Sequence, residues 1–103
     1  MSLDIWPRLG SLRGEGVNIT HNARPQIALA GADPWSWHER PVKETIREIQ
    51  NAQVYLHDPQ NREALEKLSP PNGWGSLESS QRFLAELLQI AIEHQDCYWD
   101  VWK

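Results

Sequence analysis

The sequence predicts an α+β fold: a small antiparallel sheet of about three short strands drawn from both chain ends, packed against three to four helices. Two segments near the ends, Val17-Asn18-Ile19-Thr20-His21-Asn22 and Tyr98-Trp99-Asp100-Val101-Trp102, alternate at the period of a strand. Between them, Phe83-Leu84-Ala85-Glu86-Leu87-Leu88-Gln89-Ile90-Ala91-Ile92 carries a broad apolar stripe at helical spacing. A chain of 103 residues has room for one core, so residues 1–103 are expected to form a single domain. The alternative is a mostly helical chain whose ends pack irregularly.

Asp4-Ile5-Trp6 is short and β-favouring, and Pro7 is expected to end it. Gly10, Gly14 and Gly16 mark turns before the second strand, Val17 to Asn22. There Val17, Ile19 and His21 share one side, directed at the core, and Asn18, Thr20 and Asn22 share the other. From Ala23 to Ala30, Pro25, Ile27, Ala28 and Ala30 fit a short helix with Asn22 as its N-cap and Gly31 just beyond it. Gly31 to Arg40 reads as a loop in which Pro34 keeps Asp33 out of the helical region. Pro41 to His57 is the first long helix, with Val42, Ile46, Ile49, Gln53 and Leu56 inward, and Asp58-Pro59 stops it. Asn61 to Leu68 is a short helix with Ala64, Leu65 and Leu68 inward.

Pro70-Pro71-Asn72-Gly73-Trp74-Gly75 then breaks the chain, and Ser76 offers its hydroxyl to the free N–H groups of a new helix running to about Gln95. Phe83, Leu84, Leu87, Leu88, Ala91 and Ile92 make it the centre of the core. In the final strand, Trp99 and Val101 oppose Tyr98, Asp100 and Trp102.

Composition narrows the function classes. A net charge of -4 with interleaved signs offers no basic stripe for phosphates, so nucleic acid is not an expected partner. The single cysteine, Cys97, excludes an internal disulfide and a thiolate cluster, which fits a cytoplasmic setting. The start, Met1-Ser2-Leu3-Asp4-Ile5-Trp6-Pro7, is not the pattern of a signal peptide, and no run is long enough for a membrane span, so no membrane partner is expected. His38, His57 and His94 fit no zinc spacing, and phosphate-cradling, nucleophile-elbow and His-Glu-x-x-His patterns are absent. No metal and no cofactor are expected, and enzyme activity is disfavoured.

Asp4-Ile5, Asn18-Ile19-Thr20-His21-Asn22, and Asn72-Gly73-Trp74-Gly75 before an amphipathic helix resemble a group of small uncharacterised proteins encoded by bacteria and their phages. Those proteins similarly carry an Asn-Ile-Thr-(His or Tyr)-Asn segment and an Asn-Gly-Trp-Gly loop. The resemblance implies the architecture and no particular activity. Trp35-Ser36-Trp37 and the aromatic C-terminal strand depart from that pattern.

Six tryptophans are the compositional oddity, and each serves either as core filling or as the wall of a site. The leading expectation is a binding module whose groove for a small polar ligand has a polar floor of Asn18, Thr20 and Asn22. Its walls are Trp74, acting as a lid, with Trp35, Trp37 or Trp99. The bland alternatives are that the polar row ties down its own surroundings and that the rings are core. A second expectation is a homodimer or another protein partner gripped by exposed tryptophans. A third is a small hydrolase using His21 as acid or base, or the Cys97 thiolate as nucleophile.

Overall fold

The computed structural model describes residues 2–69 and 76–103. The loop carrying Trp74 lies outside the described residues. The order of elements is β1 (Ser2–Leu9), β2 (Leu12–Arg13), β3 (Val17–Thr20), α1 (Arg24–Leu29), α2 (Val42–His57), α3 (Arg62–Glu66), α4 (Leu77–Glu93) and β4 (Tyr98–Trp102). The expected α+β class is present, as one antiparallel sheet with helices against it.

β1 is the centre of the sheet. One edge pairs with β4, from Asp4↔Trp102 to Arg8↔Tyr98. The other pairs first with β3, Ser2↔Thr20 to Ile5↔Val17, and then with β2, Arg8↔Arg13 and Leu9↔Leu12. Pro7 does not end the strand as expected. A proline is tolerated inside a sheet where no ladder bond needs its missing N–H. Opposite it, the Trp99 backbone bonds outward instead, its N–H to Arg40 O and its carbonyl to Glu39 N–H. On the other edge, the ladder is interrupted by a bulge at residues 14–16, where Gly14 N–H still reaches Pro7 O at 2.8 Å. Gly16 is required there, because a Cβ would collide with the Ile5 carbonyl oxygen and the Trp6 ring. At the β1–β2 hairpin, Gly10 takes φ 61°, the first-position requirement of a type II′ turn.

Strand alternation divides the sheet into two faces. Leu3, Ile5 and Pro7 of β1, Ile19 of β3, and Trp99 and Val101 of β4 are buried towards the helices. Trp99 is tied to α2 by its indole N–H, which donates to Thr45 Oγ1 at 2.9 Å. The core continues through Val42, Ile49, Ala52 and Leu56 of α2 and Leu77, Phe83, Leu84, Leu87 and Ala91 of α4. Ser76 caps α4 as expected, its Oγ accepting from Ser79 N–H at 3.2 Å.

Several local expectations are corrected. The second strand ends at Thr20, and His21 and Asn22 belong to a 3-10 turn, His21–Ala23. Thr20 Oγ1 accepts from Asn22 N–H and opens that turn, so the period-two pattern does not continue. Asn22 is not the cap of α1; Ala23 holds that place, without a side-chain bond. α3 spans only five residues, so it commits Leu65 alone to the core and leaves Ala64 and Leu68 exposed. Ile92 is exposed because it lies roughly 110° around α4 from the centre of the buried stripe. In α2, Thr45 and Ala52 are buried, whereas Ile46 and Gln53 are half-buried.

A candidate binding face on the sheet

The other face of the sheet carries Ser2, Asp4, Trp6 and Arg8 from β1, and Asn18 and Thr20 from β3. β2 adds Arg13, and β4 adds Tyr98, Asp100 and Trp102. Most of these side chains are half-buried or exposed, with Trp102 at 59% and Tyr98 at 48%. Trp6 and Trp102 meet edge to face with ring centroids 6.0 Å apart. The Arg13 guanidinium lies 4.3 Å from the centre of the Trp6 ring and 5.6 Å from that of Trp102. It also donates to Asp100 Oδ2 at 2.6 Å.

Asp100 is the exception to the wet face, being 5% exposed. A buried carboxylate needs charged partners and hydrogen bonds. Arg13 supplies the close contact, with Arg8 Nε at 3.9 Å beyond it. His38 Nδ1 accepts from Val101 N–H at 3.1 Å. The result is a cation wedged between two indoles with a carboxylate beneath, which fixes both rings.

The structure separates most of the residues expected to make a groove. Asn18 lies on this open face, where its Nδ2 donates to Asp4 Oδ1 at 2.7 Å and Ser2 Oγ at 3.0 Å. Thr20 shares the face, but its hydroxyl serves the turn, and Asn22 has left the strand. Trp35 and Trp37 are each 2% exposed, so neither presents a ring to a ligand. Trp37 stacks on Trp99, with centroids 6.4 Å apart and planes at 24°, and Trp99 is fully buried. Trp35 meets His21 edge to face at 6.2 Å.

That buried loop is held by two bidentate ion pairs. Arg24 bonds Asp33 through Nε and Nη2 at 3.0 and 2.9 Å, and Arg40 bonds Glu48 through Nη1 and Nη2 at 2.9 and 2.7 Å. These bonds, ahead of the opposing desolvation, raise both guanidinium pKa values further above their already high range. The aromatic loop is therefore core held by a polar rim.

The Cys97 thiol is biased away from its thiolate form. Burial is the main cause pushing the Cys97 thiol up, and the Asp96 carboxylate adds to it, its Oδ1 lying 3.7 Å from Sγ. A catalytic cysteine requires the opposite bias. His21 Nε2 is buried without a hydrogen-bond partner among the described residues, beside the Trp35 ring.

A concavity of about 450 Å³ opens between the 14–16 bulge and α4, lined by Glu15, Val17, Glu86, Ile90, Glu93 and His94. Among the described residues, no three metal-binding side chains converge anywhere. Likewise, no described helix is long and apolar enough to cross a membrane.

Trp6, Arg13, Asp100 and Trp102 were not singled out from sequence as a group. Three of the four carry a signal in the sequence: alternation sets Trp102 in step with Asp100, and Trp6 in step with Asp4. Arg13 carried no such signal, because the bulge hides which way it points.

No protein-family model, curated protein or solved structure matches the chain.

Proposed function

We propose that this chain is a protein–protein interaction module that receives its partner on the open sheet face, with Trp102 as the anchor. The observation that carries this reading is an indole 59% exposed on a sheet face yet held by Trp6 and Arg13. A large ring that is already ordered loses little entropy on binding, and tryptophan and arginine are enriched where binding energy concentrates. Docking would use the face rather than β4's outer edge, since residues 39 and 40 already bond the Trp99 backbone there. The small-ligand groove has less support, because Trp35 and Trp37 are core rather than wall. Kinship with the small bacterial and phage proteins is part of the same proposal and would make the chain an accessory module of such a host.

The test is site-specific photo-crosslinking in cells. Benzoylphenylalanine is placed at position 102 and, as a control, at position 54, where Val54 is 72% exposed on α2. A discrete product from position 102 and none from position 54 is the expected result. Equal labelling from both positions, or none from 102, would refute the reading.

A further inference from the structure

Resting on that reading, we infer that the partner for the open sheet face is a second copy of this chain, related by a two-fold axis that passes over Trp6. The argument is the order of side chains along β1. Asp4, Trp6 and Arg8 stand in a row on the open face, an anion and a cation at equal distances either side of an indole. Stacking two such faces about an axis perpendicular to the strands reverses one strand over the other. Each Asp4 then lies opposite the second copy's Arg8, and the two Trp6 rings lie at the centre. An isologous interface requires this self-complementarity.

The neighbouring strands obey the same symmetry. Trp102 pairs with Asp4 and Tyr98 pairs with Arg8, so the axis sets Trp102 of each copy against Tyr98 of the other. These are the two most exposed aromatics of the strand. On the opposite edge Asn18 pairs with Asp4 and Arg13 with Arg8, which brings an amide to a guanidinium. Asp100, beside Trp6, would face its own copy, but each is buried and already neutralised by Arg13. No like-charged exposed pair is created across the face.

Size sets the strength. Three strands about 4.8 Å apart, over the length of Ser2 to Arg8, cover roughly 300 Å² in projection. That belongs to the weak, reversible class of interfaces, below about 1,200 Å² in total. The dimer is therefore expected to dissociate on dilution.

Sedimentation equilibrium over a wide concentration range tests this, using the wild type, D4R, R8D and an equimolar mixture of the two variants. In D4R the charged row of β1 is all cationic and in R8D all anionic, so each variant alone is expected to self-associate at least about tenfold more weakly. Their mixture should restore association as a heterodimer, which also shows that both chains are folded. If either variant fails to fold, W102A replaces it, and loss of the dimer is again expected. A wild type that stays monomeric throughout, a dimer indifferent to the substitutions, or a mixture that does not recover would each overturn the inference. Crosslinks from position 102 separate this failure from failure of the interaction reading itself. A product of twice the chain mass supports self-association, whereas a specific product of another mass keeps the module and rejects the second copy.

Discussion

Replacing Gln26 with leucine removes a buried polar tie between three helices, and the cost can be worked from its bonds. Gln26 is fully buried in α1, and its Nε2 donates to Leu65 O of α3 at 2.9 Å and to Ser69 Oγ at 2.7 Å. Its Oε1 accepts from Ser80 Oγ of α4 at 2.7 Å. Leucine nearly preserves the volume, so the loss is mainly of hydrogen bonds, each contributing about 0.5–1.5 kcal/mol net. The Leu65 carbonyl keeps its bond from Leu68 N–H, but the fully buried Ser80 hydroxyl loses its acceptor. The sum is about 2–4 kcal/mol, or on the order of 10–30 °C in Tm for a domain of this size. Urea denaturation is the assay, with a lower midpoint and an unchanged slope expected. The double variant Q26L/S80A should be less destabilised than Q26L, because the stranded donor has gone. A cost below about 1 kcal/mol for Q26L, or a serine substitution that simply adds to it, would refute this account.

Three further outcomes are expected. Gly16→Ala should lower stability by about 2–3 kcal/mol in a thermal melt, since its Cβ meets the Ile5 carbonyl and the Trp6 ring. Thr45→Val should cost about 1–3 kcal/mol by stranding the buried Trp99 N–H, while Thr45→Ser retains the acceptor and most of the stability. Cys97 should alkylate slowly at pH 7, and labelling should accelerate only above the ordinary thiol range, because burial and then Asp96 raise its pKa. The folded pKa exceeds the unfolded one, so this stabilisation is complete below the unfolded value and is lost as pH rises through the folded value. Cys97→Ala should remove that alkaline decline, as read from denaturation midpoints across pH.

The elements visible from sequence are those whose geometry is set by nearby residues. Ser76 next to a long apolar stripe defines the start of α4, and alternation in residues 17–20 and 98–102 defines two strands. What escapes is decided at a distance. Pro7 looks like a strand end unless the outward bonding of Trp99 and the bulge are known. Gln26 and Thr45 look like surface residues, yet each is buried by a partner 54 positions away in the chain. Trp35 and Trp37 sit in a segment with the composition of an exposed loop. Their burial depends on Trp99 and on the ion pairs closing over them, none of which a local pattern reveals. The polar row is legible as far as Thr20 and no further, because the hydroxyl that ends the strand also belongs to it.

The binding face depends on one extra residue. β3 pairs with β1 so that Val17 opposes Ile5, and a regular ladder continued from there would set Arg13 opposite Leu9, on the helix-covered side. Instead Arg13 opposes Arg8. Residues 14–16 therefore stand against only Trp6 and Pro7, and the surplus residue turns β2 over relative to β3. Val17 and Arg13 have the same parity in the chain yet point to opposite faces. That reversal brings the guanidinium over Trp6 and down to Asp100, away from the helix side of the sheet where Leu9 and Leu12 lie. The bulge in turn demands glycine at position 16, so the close backbone approach beside Trp6 and the cation that orders Trp102 are two consequences of one irregularity. Bulges often re-aim a side chain beside a site, and here the re-aimed side chain is the one that holds the exposed indole in place.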